Sequence, residues 1–526
     1  MKSQRLEQRR SLLKLAVASA TSLWLPQSAC SQLKFTNDPF MLGVASGSPT
    51  HDSVVLWTRL LSTTTLGNQP ATVRWEVAHD DKFARIVQSG QTQAVPELAH
   101  SVHAEVAGLQ SDRWYFYRFM VGDAVSPVGR TRIFPKPGAK VNKLRLAYAS
   151  CQRWEHGYFS AYRHMRDENL DAVMFLGDYI YEYAGAANAV RTPSGGWVST
   201  LDDYRQRYAL YKGDADLQAM HAACPWLVTW DDHEVQNDYA GLSVGENGPD
   251  VADFAARRSA AYQAFYEHMP VRAAVLTRAA AGLASGAEMR IYNRVQYGQL
   301  ACLTMLDARQ YKSPQVCTRA GKRGSSTVNP ASCAQWNDPA RSMLGAQQEQ
   351  WLDAGWASMQ TKSTSWNIMG QQSLLGQRDF QAGPGQNFWN DGWDGYSAAR
   401  GRLIDSARKN AVPNLVVLGG DVHENWVGQI KADYANVASS AVGVEFCGTS
   451  ITSRSGGDAK LAETLAENPH FIFADAQRKG YGVVDITPRQ LKTTLRVVTD
   501  VTRQDASIET LAQFTVASER AVVEQI

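Results

Sequence analysis

Seven residues in this chain have types and spacing that suggest chemistry: Cys151, Asp178, Tyr181, Asp232, His233, Asp421 and His423. Asp178 and Tyr181 lie in LGDYIYEY (176–183), where an apolar run ends on a carboxylate with a phenol three residues further on. Both are hard oxygen donors. Asp232 and His233 close WLVTWDDHE (226–234), Asp421 and His423 lie in LVVLGGDVHEN (415–425), and Cys151 ends KLRLAYASC. Each ending alone has an ordinary reading. A post-strand Asp commonly caps a helix, a lone His commonly satisfies a core hydrogen bond, and Tyr179, Tyr181 and Tyr183 can pack as aromatics. Four such endings in one chain are harder to dismiss, because ligands of open α/β sheets gather beyond the carboxyl ends of strands. Together they imply a metal centre.

The elements that must position these residues fall into two textures. Residues 35–138 alternate in short runs such as SVVLWTRL (53–60), ATVRWEVAHD (71–80), HSVHAEVAGL (100–109) and WYFYRFMVG (114–122). That spacing predicts an immunoglobulin-like or fibronectin-like β-sandwich. FPKPGAK (134–140) reads as a linker. From residue 143 the chain alternates apolar strands with helical spacing, including 158–170, 201–225, 347–359 and 396–410. This predicts an α/β (α+β) catalytic domain over 143–526, closed by antiparallel strands in 481–500.

SCQRW, LGDYIYEY, TWDDHEVQNDYAG, LDARQY, MGQQ, WDGY and GGDVHEN, in that order, resemble the PhoD-type alkaline phosphatases of the calcineurin-like metallophosphatase superfamily. The resemblance runs from about residue 40 to the C-terminus. It implies an αββα sandwich, a centre of two or three metals containing Fe(III) and Ca(II), and hydrolysis of phosphate esters by a metal-held hydroxide. It makes Tyr181 the metal phenolate and Asp178 the bridge. Cys151, Tyr181, His423 and Asp178 would share one metal, and thiolate, phenolate and imidazole suit iron. Asp178, Asp232 and Asp421 would hold the other with oxygen alone, which suits calcium. Asn237 and Gln371 are candidate carbonyl ligands, or simple hydrogen-bonding residues. His233 would protonate or hold the leaving oxygen, or orient a neighbour. Arg309 could grip phosphate, or pair structurally with Asp307. Glu234 and Glu424 adjoin ligands and are expected to support them.

The first thirty residues read as an address. Arg9 and Arg10 precede an apolar run too short to span a bilayer, a pattern matching a twin-arginine export signal and so a periplasmic or secreted enzyme passed through the Tat translocase. Cys30 is a weak candidate for lipidation. Five basic side chains and one acidic lie in this segment, so a formal charge of +2 overall leaves the remainder near neutral. No basic field for nucleic acid is present, no later segment reads as membrane-spanning, and oligomeric state is not encoded legibly. In an oxidising compartment Cys317 and Cys333, which flank a Gly/Ser/Lys-rich loop, are the expected disulfide, and Cys151 is expected to stay unpaired. The expected activity is on phosphate monoesters and diesters. The alternatives are a phosphodiesterase directed at phospholipids or polymers, and an exported metal-binding protein without turnover.

Overall fold

The computed structural model describes residues 33–61, 63–276, 289–457 and 459–526. The expected export signal (1–30) and Cys30 lie outside the described residues.

The chain divides into two compact units, and the first is not one linear segment. It comprises residues up to Lys136 together with Ser199–Leu227 and Ala255–Arg290, so the boundary expected near residue 143 separates only part of it. Its strands are β1 (Val44–Gly47), β2 (Ser53–Arg59), β3 (Ala71–Ala78), β4 (Ile86–Ala94), β5 (Ser101–Ala107), β6 (Arg113–Val121), β7 (Ala124–Val125) and β8 (Gly129–Ile133). One layer runs β4-β3-β6-β7 with β8 on β6; the other runs β1-β2-β5. Alternation in these strands turns Val54, Leu56, Val73, Val77, Val102, Val106, Tyr117, Phe119 and Ile133 into one apolar core, as a half-buried strand should. The helices Leu201–Lys212 and Ala215–Ala223 match the two-piece expectation. Thr200 and Asp203 form a capping box on the first.

His103 of β5 is buried in this unit. Its Nε2 lies 3.0 Å from the Met269 carbonyl and its ring stacks on Tyr266 at 4.4 Å. Burial pushes its pKa down to about 4 from an ordinary 6.5. Between those values the unfolded chain binds a proton that the folded chain refuses. The contribution is therefore complete above pH 6.5 and is lost as pH falls toward 4, by up to about 3 kcal/mol. Thermal melts of His103→Phe should show a flatter acid dependence over that window than the parent; equal slopes would contradict this.

The second unit carries two layered sheets. One runs β24-β23-β22-β21-β9-β10, and the other runs β12-β13-β15-β17-β19-β18-β20. In chain order the strands beyond residue 143 are β9 (Leu144–Ala149), β10 (Ala172–Phe175), β11 (Trp226–Val228), which falls mostly in the first unit, β12 (Asn293–Tyr297), β13 (Ala301–Met305), β14 (Thr327–Val328), β15 (Trp366–Gly370), β16 (Phe388–Trp389), β17 (Leu415–Gly419), β18 (Asn425–Lys431), β19 (Ala441–Cys447), β20 (Phe471–Asp475), β21 (Gly480–Ile486), β22 (Gln490–Val498), β23 (Ile508–Ala517) and β24 (Val523–Gln525); β14 and β16 pair with each other apart from the two sheets. Phe514 of β23 meets Phe446 and Phe473 of the facing sheet at 6.1 and 5.4 Å. The helices Gly345–Ala357 and Ser397–Lys409 bury Leu352, Trp356, Leu403 and Ile404 against Val417 and Met369. The helix Ser160–Arg166 is tied by Arg163 and His164 to the Ala506 carbonyl beside the first sheet. This is the expected αββα arrangement. The central strands β13, β15 and β17 are parallel and buried along their length, which explains their uninterrupted apolar sequences.

A candidate metal centre

The strands stop earlier than their apolar runs suggest, and the ligands sit in the turns beyond. β11 ends at Val228, four residues before Asp232; β17 ends at Gly419, two before Asp421. Cys151 follows β9 and Asp178 follows β10. Cys151, Asp178, Asp421 and His423 all have left-handed backbones, with φ of 59°, 58°, 67° and 58°. For residues with a Cβ this costs on the order of 1 kcal/mol each. The surrounding bonds hold them there. Cys151 N donates to Gly177 O and Gln152 N to Asp178 O, both at 3.1 Å.

Gly177 has φ of 112°, and a Cβ on it would lie 2.5 Å from the Asp231 Cβ. Glycine therefore lets the turn after β10 press against the one after β11. Glu234, buried and 1% exposed, latches the two. Its carboxylate accepts from the backbone N–H groups of Asp178 (3.2 Å), Tyr179 (2.6 Å) and Asp231 (2.8 Å).

The structure brings the sulfur, phenol and imidazole together. Single ligand atoms of Cys151, Asp178 and His423 all lie within 4.8 Å of one another. The Tyr181 hydroxyl donates to Asp178 Oδ2 at 2.9 Å and lies 3.2 Å from His423 Nε2. His423 Nδ1 is 2.9 Å from the Arg454 carbonyl. A carbonyl can only accept, so Nδ1 holds the proton and Nε2 keeps its lone pair for a metal. Asp178, Asp232 and His233 form a second group within the same 4.8 Å limit, and Asp232, Asp238 and Asp391 a third. Asp178 thus belongs to two groups, as a bridge must.

Electrostatics favour a cation here. Burial first, and then the neighbouring Asp232, Glu234 and Asp421, push the Asp178 pKa well up, although His233 opposes them. Burial and then Asp178 raise Cys151; burial, Asp178 and Cys151 raise Tyr181. Asp232 Oδ1 is buried with no hydrogen-bond partner, a costly state for a carboxylate oxygen. A bound cation would stabilise all of these anionic forms, so the residues fit a metal centre.

Other expected residues are placed differently. Gln371 is fully buried, and its Oε1 accepts from Trp393 Nε1 (2.9 Å) and Ser373 N (3.1 Å). Asn237 Oδ1 accepts from Tyr183 at 2.8 Å. Gln371 Oε1 thus has both lone pairs in hydrogen bonds, whereas Asn237 Oδ1 keeps one, which leaves the ligand reading open to Asn237. The Arg309 guanidinium donates to Asp231 and, at 2.7 Å, to Asp391, while Nη2 lies 3.7 Å from Asp232 and 4.0 Å from Asp421. These carboxylates engage the guanidinium as in the structural one of its two readings, with partners other than Asp307, and Arg309 balances their charge. Only its backbone N–H reaches Asp307. Asp421 is located by the same contact, on the Asp232 side. Glu424 pairs with Arg378 at 2.8 Å.

Several contributors escape a sequence reading. Glu182 accepts from His233 Nδ1 and from Asn237 N, both at 2.8 Å. Ser453 Oγ lies 2.8 Å from both the Tyr181 hydroxyl and the Cys151 carbonyl. Asp231 and Asp238 stand inside TWDDHEVQNDYAG, and doubled acids there were a usable signal; nothing local marks Asp391 or Ser453.

Cys317 and Cys333 form the expected disulfide, and Cys151 is free. The loop between them carries Ser325, whose N–H and hydroxyl reach Asp238 Oδ2 at 2.9 and 2.6 Å, while Asp238 N donates to Asp232 Oδ2 at 2.6 Å. Opening that loop with Cys317→Ser and Cys333→Ser should cost about 3 kcal/mol and weaken metal retention at Asp232. Denaturant titration and dialysis against a chelator check both; unchanged retention would break the proposed chain of contacts.

The family described as PhoD-like phosphatase matches residues 146–495, and its N-terminal domain matches residues 26–135. The chain belongs to the PhoD-like phosphatase family. Alkaline phosphatase D of Bacillus subtilis (strain 168) is 44% identical over 492 residues, covering 91% of this chain and 81% of that one. A solved structure titled "Structure of PhoD" is similar with a TM-score of 0.86 and 42% identity, covering 94% of this chain and 93% of the other. This PhoD-like phosphatase is a phosphoric ester hydrolase of the alkaline phosphatase D type. Among the described residues no helix is long and apolar enough to cross a membrane.

Proposed function

We propose that this PhoD-like phosphatase is an exported enzyme that hydrolyses phosphate monoesters and diesters at a mixed Fe(III) and Ca(II) centre. One observation carries the reading: Asp178 lies within 4.8 Å of Cys151 and His423 in one group, and of Asp232 and His233 in another. Cys151, Tyr181 and His423 would hold iron, with Asp178 shared. Asp232 and Asp421 would complete an oxygen-only site for calcium. When bound, such cations supply charge neutralisation for the phosphoryl group and acidify water.

The chain's own residues do the rest. Glu182 fixes His233 through Nδ1, leaving Nε2 to exchange a proton. Burial opposes a charged imidazole, but Glu182, Asp178 and Asp232 outweigh it and raise the His233 pKa well above its ordinary value. With Nδ1 held by Glu182, a proton on Nε2 is placed for donation to a leaving oxygen. Burial pushes the Asp232 and Asp421 carboxyls up and Arg309 opposes it, enough to hold Asp232 below the ordinary range while Asp421 stays above it. The export reading rests on Arg9 and Arg10.

Elemental analysis of protein isolated from the periplasmic or secreted fraction tests metals and location together; iron with calcium is expected. Zinc alone, or protein confined to the cell interior, would overturn the corresponding half. Cys151→Ala should lose iron while retaining most of its calcium, because only the sulfur-containing group is altered. Parallel loss of both metals would contradict the division. Cleavage of both 4-nitrophenyl phosphate and its bis ester is expected; failure on the diester would restrict the reading to monoesters.

A further inference from the structure

A row of rings leads away from the centre. Tyr181 and His233 have centroids 4.1 Å apart, His233 and Tyr183 5.2 Å, and Tyr183 and Trp197 5.3 Å. Trp197 ends the row with 37% of its surface exposed, large for an indole packed beside a buried site. Arg153, two residues after Cys151, lies against this row. Its guanidinium carbon sits 4.4 Å from the Tyr183 ring and 5.7 Å from the Tyr181 ring.

The hydrogen-bonding state of that guanidinium is the telling feature. Among the described residues its nearest carboxylate, Glu155, is 3.7 Å away, beyond hydrogen-bond distance, and Arg153 Nε is buried with no partner at all. Aromatic faces attract the charge but take none of its N–H hydrogens. A guanidinium carries five donors in a fork matched to planar anions, and leaving a buried donor unmade is unfavourable. Arg309, by contrast, has its donors on carboxylates. Arg153 is therefore a held cation with unused donors, sharing the Tyr183 ring with the imidazole that faces the leaving group.

We propose that Arg153 determines specificity by receiving a second negative charge, carboxylate or phosphate, carried on the leaving alcohol, with Tyr183 and Trp197 forming the wall beside it. This rests on His233 marking the leaving-group side.

The test compares 4-carboxyphenyl phosphate with its neutral methyl ester on metal-loaded enzyme. The parent should show a lower KM for the carboxylate, by about tenfold or more, as expected for a charge-assisted hydrogen bond. 1,4-Phenylene bisphosphate, run alongside, tells phosphate from carboxylate as the favoured charge; preference for either over the neutral ester supports the inference. Arg153→Met should remove the preference through KM, and Arg153→Lys should restore part of it. Equal KM values in the parent overturn the inference without any variant. A preference that survives in Arg153→Met assigns it elsewhere and overturns it too. If instead the parent cleaves none of these esters, the phosphoesterase reading fails rather than this one.

Discussion

Asp178→Asn should lower kcat/KM for 4-nitrophenyl phosphate by at least about 10³-fold, more than any other single change in the centre. Asparagine keeps the shape and can still accept from the Tyr181 hydroxyl at the Asp178 Oδ2 position. The backbone N–H held by Glu234 is untouched. What goes is the charge and one of two oxygens, at the residue common to both ligand groups. Iron and the second metal should therefore both fall in plasma emission analysis of the same sample. Metal-free stability should hold or rise, because a carboxyl burdened by burial and neighbouring acids becomes a neutral amide. A variant that binds both metals fully and turns over normally would remove Asp178 from its bridging position.

His233→Gln comes second. Its effect should depend on the leaving group. Protonation of a departing oxygen contributes about 10²–10⁴-fold when that oxygen is a poor leaving group, and little for 4-nitrophenolate. Across a series of substituted phenyl and alkyl phosphates, log kcat/KM should fall more steeply with leaving-group pKa in the variant than in the parent. Glu182→Gln should move in the same direction by a smaller amount, since the imidazole loses its anchor at Nδ1 but keeps Nε2. Parallel lines for parent and His233→Gln would leave the histidine with an orienting role only.

The strands that end the apolar runs at 149, 175, 228 and 419 could be read with little error, because a buried parallel strand shows itself as continuous Val, Leu, Ile and Met. Their last residues could not. WLVTWDDHE reads as strand through to the acids, yet pairing stops at Val228, since from Asp231 onward the backbone is committed to Glu234, Asp232 and Asp238. Cys151, Asp178, Tyr181, Asp232, Asp421 and His423 were legible as a set because hard and soft donors recur at matching positions. Asp391 was not: it stands beside Asp232 and Asp238 and pairs with Arg309 and Lys312, yet comes from a turn whose sequence carries no periodic or ligand signal. Arg309 was legible as important, with phosphate and a structural carboxylate both open as partners; its side chain meets Asp231 and Asp391 rather than Asp307, because a guanidinium's partner is settled only by what surrounds it in space. In the β-sandwich, β2 to β6 were legible as alternating runs, whereas the short β1, β7 and β8 were not. The sandwich's borrowing of Ser199–Leu227 and Ala255–Arg290 was not legible either, since helical spacing says nothing about which core a helix covers.

That borrowing has a consequence for how the protein is made. The polypeptide leaves the ribosome N-terminus first, so a conventional leading domain can finish before its follower is synthesised. Here the leading unit still lacks material when Lys136 emerges, and Arg290 arrives on the order of 10 s later at ordinary elongation rates. Meanwhile part of the follower has already appeared. The two units must mature concurrently, and a gene split near codon 143 should encode not a free domain and a minimal enzyme but two incomplete pieces.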